Sequence, residues 1–311
     1  MVLLDQSFGL FPCIACNRSA DQHGRIPQAA NLSAHLAKAQ RDVEARVPRG
    51  FGGYVVLDYE SWRSNWGWTN PSYRNASAAH ALALDPTLRG AALTAAARRQ
   101  YEAAATAFLR ATLRTIRRAR PALRGLGMYD YPLGLYYPFG FGINGSCPPS
   151  QCPAADCPHP QCGAGQRAED ERQLSLYREM TALYPSLYLT HPSDWNATDA
   201  RHNHELIMGT VAESFRIARL AGLPSEAVCP YTWYRYHDKG PASLQLLSDS
   251  DAALEFSLAS AGPLDRVQNF LIYGAETDQR TPSPQQRGFP VEQTMAFFTR
   301  HAALFNGKGR Q

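Results

Sequence analysis

Asp58 and Glu60 stand two apart in the run Leu57-Asp-Tyr-Glu-Ser-Trp-Arg63, directly behind the apolar, β-branched stretch Tyr54-Val-Val-Leu57. Such a stretch is the signature of a buried strand. Side chains two apart on a strand share a face, so both acids leave its C-terminal end side by side. Neighbouring carboxylates resist double ionisation, and one can keep its proton near neutral pH. A protonated acid beside an anionic one is the equipment of a glycosidase. The competing reading is a solvated strand end at which the two acids have no role.

The elements that would position such a pair alternate along the chain. Leu32, Leu36, Ala39, Val43 and Val47 recur at helical spacing, with Asn31 as N-cap and Pro48 as stop. The strand at 54–58 follows, then an Ala- and Arg-rich helix over about 87–119, closed before Pro121. Leu126 to Tyr131 reads as a strand stopped by Pro132. Further helices are predicted near 168–182, 202–221, 249–260 and 290–304, and further strands at 186–189, around 227–234 and at 269–273. Strict alternation over 311 residues predicts an α/β fold with a parallel sheet, closed as a (β/α) barrel in a single domain spanning 1–311. No Gly-x-Gly-x-x-Gly follows a strand, which weakens a dinucleotide-binding alternative. Active groups of a barrel lie at the C-terminal strand ends. Those ends here carry Asp58 and Glu60, Tyr129 and Tyr131, Tyr188, Tyr231 to Tyr236, and Tyr273. An acid pair ringed by tyrosines predicts a sugar-binding cleft.

Bulk composition is that of a soluble globular protein, with 44% hydrophobic and 19% charged residues. The net charge of +4 suits an anionic polymer without requiring one. Arg114, Arg117, Arg118 and Arg120 form the densest basic cluster, which reads as a solvated helix face. No apolar run is long enough to span a membrane, and residues 1–5 do not read as a signal peptide. Asn17, Asn31, Asn75, Asn144 and Asn196 open sequons that would carry glycans in a secreted chain.

Cys147, Cys152, Cys157 and Cys162 recur every five residues inside a Pro-rich loop spanning 133–167. Disulfide stapling is favoured over a zinc site including His159, because zinc pairs usually have a two-residue gap. Cys13 and Cys16 form a Cys-x-x-Cys outside any βαβ setting for redox chemistry, and Cys229 reads as a buried free thiol.

The chain resembles glycoside hydrolase family 56, the hyaluronidases. The resemblance rests on Gly9-Leu-Phe-Pro12, Ile26-Pro-Gln28, Asn31-Leu-Ser-x-His-Leu36, Leu57-Asp-Tyr-Glu-Ser-Trp-Arg63, Asn65-Trp66, Tyr73-Arg74 and Arg120-Pro121. It continues with Gly127-x-Tyr129-x-Tyr-Pro132, Ala182-Leu-Tyr-Pro-Ser-Leu-Tyr-Leu189, Pro230-Tyr-Thr-Trp-Tyr-Arg-Tyr-His-Asp238 and Phe270-Leu-Ile-Tyr-Gly274. The resemblance implies endo-acting, retaining hydrolysis of β-linked N-acetylhexosaminide bonds in hyaluronan or chondroitin. Glu60 would be the acid/base, the substrate's N-acetyl oxygen the nucleophile, and Asp58 the group that orients it. Tyr188, Tyr231, Tyr273, Tyr129 and Asp238 would line the substrate site. The implied partner is a glycosaminoglycan and not a nucleic acid, no metal or cofactor is needed, and the location would be secreted or lysosomal. Chitinases also end a strand in Asp-x-Glu but carry further Asp residues upstream, where this chain has Gly53-Tyr-Val-Val-Leu57.

Several positions depart from the family pattern. The sequence begins past the family's first strand and helix, leaving a standard ring one strand short. A shortened N-terminus would account for this and for the missing signal peptide. Family tyrosines fall on Leu4 and on Leu135, or on Tyr136 with a one-residue slip, and a family tryptophan falls on Tyr273. A family cysteine falls on Gly134, and no Cys follows Cys229 to take up the family's long-range bridge. Leu4 and Leu135 motivate an alternative, a catalytically impaired barrel that binds glycans without cleaving them.

Overall fold

The computed structural model describes residues 1–4, 7–16, 20–132, 163–237, 245–258, 267, 269–273 and 291–305. They group into two compact units. The first comprises Met1–Tyr129, Gly165–Leu183 and Ile217–Leu223, and the second Asp130–Ala164, Tyr184–Arg216 and Pro224–Gln311.

In the first unit a parallel sheet runs in the order β1 (Val2–Leu4), β2 (Tyr54–Asp58), β3 (Gly125–Met128). Leu4 pairs with Asp58 and Leu57 with Met128, so β2 is the central strand. Val55, Val56 and Leu57 are buried, as a strand covered on both faces requires. Parallel neighbours need helical crossovers, supplied by α1 (Leu32–Arg46), α2 (Pro71–Leu84) and α3 (Gly90–Ala119). The α1 start is the predicted one: the Asn31 side chain accepts a hydrogen bond from Ala34 N at 3.0 Å. Helix α2 was not expected, although Asn70 caps it and Pro71 occupies its first turn.

Glu179 clasps α3 through Arg110 at 3.0 Å, Arg117 at 3.3 Å and Arg114. The hydrogen bond from Arg114 and the nearby guanidinium charges hold its carboxyl below its ordinary range, despite an opposing contribution from burial. The Arg114 and Arg117 face expected to be merely solvated is therefore partly an ion-pair network.

The helix expected near 168–182 begins earlier and is broken into α4 (Gly163–Arg172) and α5 (Leu174–Tyr177). The expected loop 133–167 thus ends in helix by residue 163. Cys147, Cys152, Cys157, Cys162, Gly134, Leu135 and Tyr136 lie outside the described residues. Cys13 and Cys16 are joined as a disulfide.

In the second unit α6 (Ala197–Ala221, which runs on into the first unit's residues) begins five residues before the expected start at 202. Strand β4 (Tyr231–Trp233) pairs in parallel with β5 (Leu271–Tyr273). The strand expected at 186–189 is a single parallel bridge, Ser186 to Tyr231, flanked by Tyr231 N to Pro185 O at 2.7 Å and Leu187 N to Tyr231 O at 2.9 Å. Pro185 has no N–H to extend such a ladder. The helix expected over 249–260 is α7 (Asp249–Ala253), followed by a π-helical turn at Leu254–Leu258. The last helix divides into α8 (Val291–Arg300) and α9 (Ala302–Phe305). Among the described residues the strands form these two sheets, and neither closes into a ring. Leu187, Leu189, Ile207, Val211, Trp233, Phe256 and Phe297 are central to this unit's core. Cys229 is free and buried just ahead of β4, with its thiol pushed up to about 12 by burial.

Candidate active site

The first unit holds the acid pair. Asp58 is the last residue of β2 and is half-buried, Tyr59 is buried, and Glu60 is exposed. This alternation is the parity a strand end imposes, with Tyr59 turned into the core and the acids out of it. Among the described residues Glu60 makes no hydrogen bond or ion pair, so its carboxyl is available to a ligand. β3 ends one step short of Tyr129, whose N–H donates to Leu57 O at 3.0 Å. Asp58 and Tyr129 therefore continue the register at adjoining strand ends, with Leu4 opposite Asp58 on the other side.

The packing beneath the pair explains the motif residues around it. Phe11 stacks on Tyr59 with centroids 4.3 Å apart, and Trp62 meets Tyr59 edge-on at 4.5 Å. Trp62 Nε1 donates to Pro12 O at 2.9 Å, and Arg63 donates to Tyr59 O at 3.2 Å. Tyr101 Oη donates to Arg63 O at 2.7 Å. Trp68 Nε1 donates to Gln166 Oε1 at 2.5 Å, and Gln166 passes a bond to Asp170 at 3.1 Å. The Asp58-Tyr-Glu60 segment thus hangs from a buried aromatic and hydrogen-bonded frame.

Gly9 and His35 lock the other side of that frame. Gly9 has φ +64, and a Cβ there would lie 2.5 Å from His35 Cε1. Leu10 N–H donates to His35 Nδ1 at 2.9 Å, which places the ring proton on Nε2. Nε2 then donates to Thr112 Oγ1 at 2.9 Å, and that hydroxyl donates to Phe108 O at 2.8 Å. Burial, the main cause, lowers the imidazole to about 4, so His35 is neutral at physiological pH.

The second unit holds the aromatic candidates. Tyr188 and Tyr231 meet edge-on at 6.2 Å, and Tyr188 lies 6.0 Å from Trp233 and 5.2 Å from His237. Tyr273 takes the register position beside Trp233. Asp238 lies outside the described residues. Trp233 and His237 belong to the Pro230-Tyr-Thr-Trp-Tyr-Arg-Tyr-His-Asp238 block but are not among the site residues the sequence points to. The signal for Trp233 was its strand parity with Tyr231, two residues before it. Behind β4, Glu255 is fully buried in the π-helical turn and accepts a hydrogen bond from Trp233 N at 3.3 Å. Burial raises its carboxyl well above the ordinary range, and nothing in the sequence marked it. Another buried carboxylate, Asp251, accepts from Tyr236 Oη at 2.6 Å and from Ser193 N at 2.9 Å. Among the described residues no His, Cys, Asp and Glu cluster could hold a metal ion, and no helix is long and apolar enough to cross a membrane.

Comparison with known proteins bears on the family and the fold. Human (Homo sapiens) hyaluronidase-1 is 34% identical over 219 residues, 68% of this chain and 46% of that protein. The honeybee (Apis mellifera) hyaluronidase is 30% identical over 281 residues, 88% of this chain and 66% of that one. The chain thus spans about half the length of the first relative and just under two thirds of the second. The crystal structure of bee venom hyaluronidase superposes with a TM-score of 0.75 at 25% identity, covering 96% of this chain and 84% of that one. A second crystal structure of that protein, in complex with a hyaluronic acid tetramer, superposes with a TM-score of 0.73 at 25% identity, covering 96% and 83%. The family model described as hyaluronidase matches residues 1–253, and the chain belongs to that family, glycoside hydrolase family 56.

Proposed function

We propose that this protein is an endo-acting glycosidase that cleaves β-linked N-acetylhexosaminide bonds in hyaluronan or chondroitin with retention. The observation that carries the reading is the end of β2, where Asp58 and an exposed, unengaged Glu60 emerge from a rigid aromatic frame. Glu60 donates its proton to the glycosidic oxygen as the acetamido oxygen of the substrate attacks the anomeric carbon. The Glu60 carboxylate then takes a proton from the water that opens the resulting ring. Asp58 orients the acetamido group and offsets the positive charge that develops on it. Tyr188 and Tyr231 donate hydrogen bonds to the acetamido oxygen. Tyr129, Tyr273 and Asp238 line the sugar sites. The architecture proposed is one (β/α) barrel domain, acting in a secreted or lysosomal setting.

The test is a reducing-end assay on hyaluronan and on chondroitin from acid to neutral pH, with Glu60→Gln beside the wild type. Loss of about a hundredfold or more in kcat, with polysaccharide binding retained, is the expected result. Full activity in the variant would remove Glu60 from the mechanism. A second reading, a barrel that binds glycans without cleaving them, draws on Leu4, which stands in register with Asp58 where the resemblance implies a tyrosine. Binding without hydrolysis by the wild type would favour it.

A further inference from the structure

A basic recess in the first unit lies away from the acid pair. A cleft of about 740 Å³ is lined by Gln40, Glu44, Arg49, Thr115, Arg118 and Arg120, with Ala119 completing the wall. It sits where α1 and α3 end, and each of these helices leads directly into the start of its strand, β2 or β3. Asp58 is at the other end of β2, roughly 13 Å along the strand from Tyr54. The cleft is therefore distinct from the candidate active site.

Its charges are unbalanced, with three guanidinium groups against the single carboxylate of Glu44. Arg120 is buried and largely committed: its Nε donates to Val47 O at 2.6 Å, and its terminal nitrogens donate to Ala119 O at 2.7 Å, Glu44 O at 3.0 Å and Val43 O at 3.2 Å. Four of its five N–H donors go to backbone carbonyls, three of them at the carbonyl end of α1, so its charge serves the fold. Arg118 is exposed and makes one bond, to the buried Thr115 hydroxyl at 3.3 Å. Arg110, Arg114 and Arg117 are tethered to Glu179, whereas Arg118 has no acid partner among the described residues. Arg49 lies past the end of α1, is exposed, and makes no hydrogen bond or ion pair among the described residues. Helix-end electrostatics accounts for Arg120 and not for Arg49. Two exposed guanidinium groups without an acid partner among the described residues, beside a polar recess, suit planar carboxylate or sulfate groups.

We infer that this cleft is a second contact for an anionic glycosaminoglycan, holding carboxylate or sulfate groups of a long chain through Arg49 and Arg118 while another stretch of the same chain occupies the cleavage site. The inference rests on the hydrolase reading only for its choice of ligand. Linked contacts raise apparent affinity for a polymer long enough to reach both, and leave a short oligosaccharide unaffected.

The experiment compares the wild type with the double variant Arg49→Ala/Arg118→Ala in affinity electrophoresis through gels containing high-molecular-weight hyaluronan or chondroitin sulfate. Hydrolysis of a hyaluronan hexasaccharide is measured in parallel. About fivefold weaker retention by polymer, with hexasaccharide turnover and thermal stability unchanged, is expected. Loss confined to chondroitin sulfate would identify the sulfate as the bound group, and loss on both gels the carboxylate they share. Equal retention of the two proteins on both gels overturns the inference, as does an equal loss of polymer retention and hexasaccharide turnover. A wild type that is retained but hydrolyses nothing sinks the hydrolase reading, and the retention comparison still decides this one.

Discussion

Phe11 lies face to face with Tyr59, the residue that separates Asp58 from Glu60, with ring centroids 4.3 Å apart. The Gly9-Leu-Phe-Pro12 segment thus supports the acid pair from below, through contact with the residue between the acids rather than with either acid. Phe11→Ala should open a cavity under Tyr59 and cost about 3–5 kcal/mol of stability. Urea titration gives this number directly, and a loss under 1 kcal/mol would mean that Tyr59 is held by its other neighbours.

Gly9→Ala tests the same frame differently. The substitution demands φ +64 from a residue with a Cβ and drives that atom to 2.5 Å from the pinned His35 ring. Left-handed backbone alone costs roughly 1–2 kcal/mol, and the clash adds to it. A variant as stable as the parent in denaturant would show that the loop re-forms without Gly9.

These supports bear on how much could be read from residues alone. Helix α1 was legible at both ends because Asn31 and Pro48 are local signals, and β2 because three consecutive apolar residues are buried. The acid pair was legible for the same reason, since strand parity follows from sequence. Helix α2 was missed although Asn70 and Pro71 announce it, because its Ala-rich stretch has little apolar periodicity. The extended segment at 186–189 has the composition of a strand, but its pairing depends on what lies opposite and on Pro185. Glu255 illustrates the limit: a glutamate next to Leu254 in a helical stretch gives no hint of complete burial.

His35 predicts an acid sensitivity. Its folded value, about 4, lies below the ordinary 6.5, so the unfolded chain binds more protons between those values. Stability from this group is complete above pH 6.5 and falls as the pH drops towards 4, by about 3 kcal/mol in all. Denaturant midpoints measured at several pH values should decline across that window, and His35→Gln should flatten this part of the profile. An unchanged slope in the variant would assign the decline to other groups.

Glu255 has the opposite sign. A carboxyl whose folded value is raised stabilises the fold fully below its ordinary value of 4.5, and loses that contribution as pH rises through the folded value. Glu255→Gln keeps the acceptor for Trp233 N and removes the ionisation. It should match the parent in acid and exceed it in stability near pH 8. Equal melting temperatures at pH 8 would count against a buried protonated Glu255.

Tyr188→Phe removes one hydroxyl from the aromatic group around Tyr231 and leaves the ring contacts in place. If that hydroxyl meets the acetamido oxygen, kcat/KM should fall about tenfold with no change in unfolding. Unaltered kinetics would confine Tyr188 to a packing role.

The tautomer forced on His35 makes this ring a built-in spectroscopic probe. Its Nε2 proton is shut away from water and committed to Thr112 Oγ1, so it exchanges slowly enough to be detected as a resolved downfield proton resonance. The ring touches Phe11 at 4.7 Å and Phe108 at 4.1 Å, so ring currents tie its chemical shift to the packing under Tyr59. One line in a proton spectrum would therefore track the integrity of the scaffold beneath Asp58 and Glu60 during ligand titration, without a label on either acid.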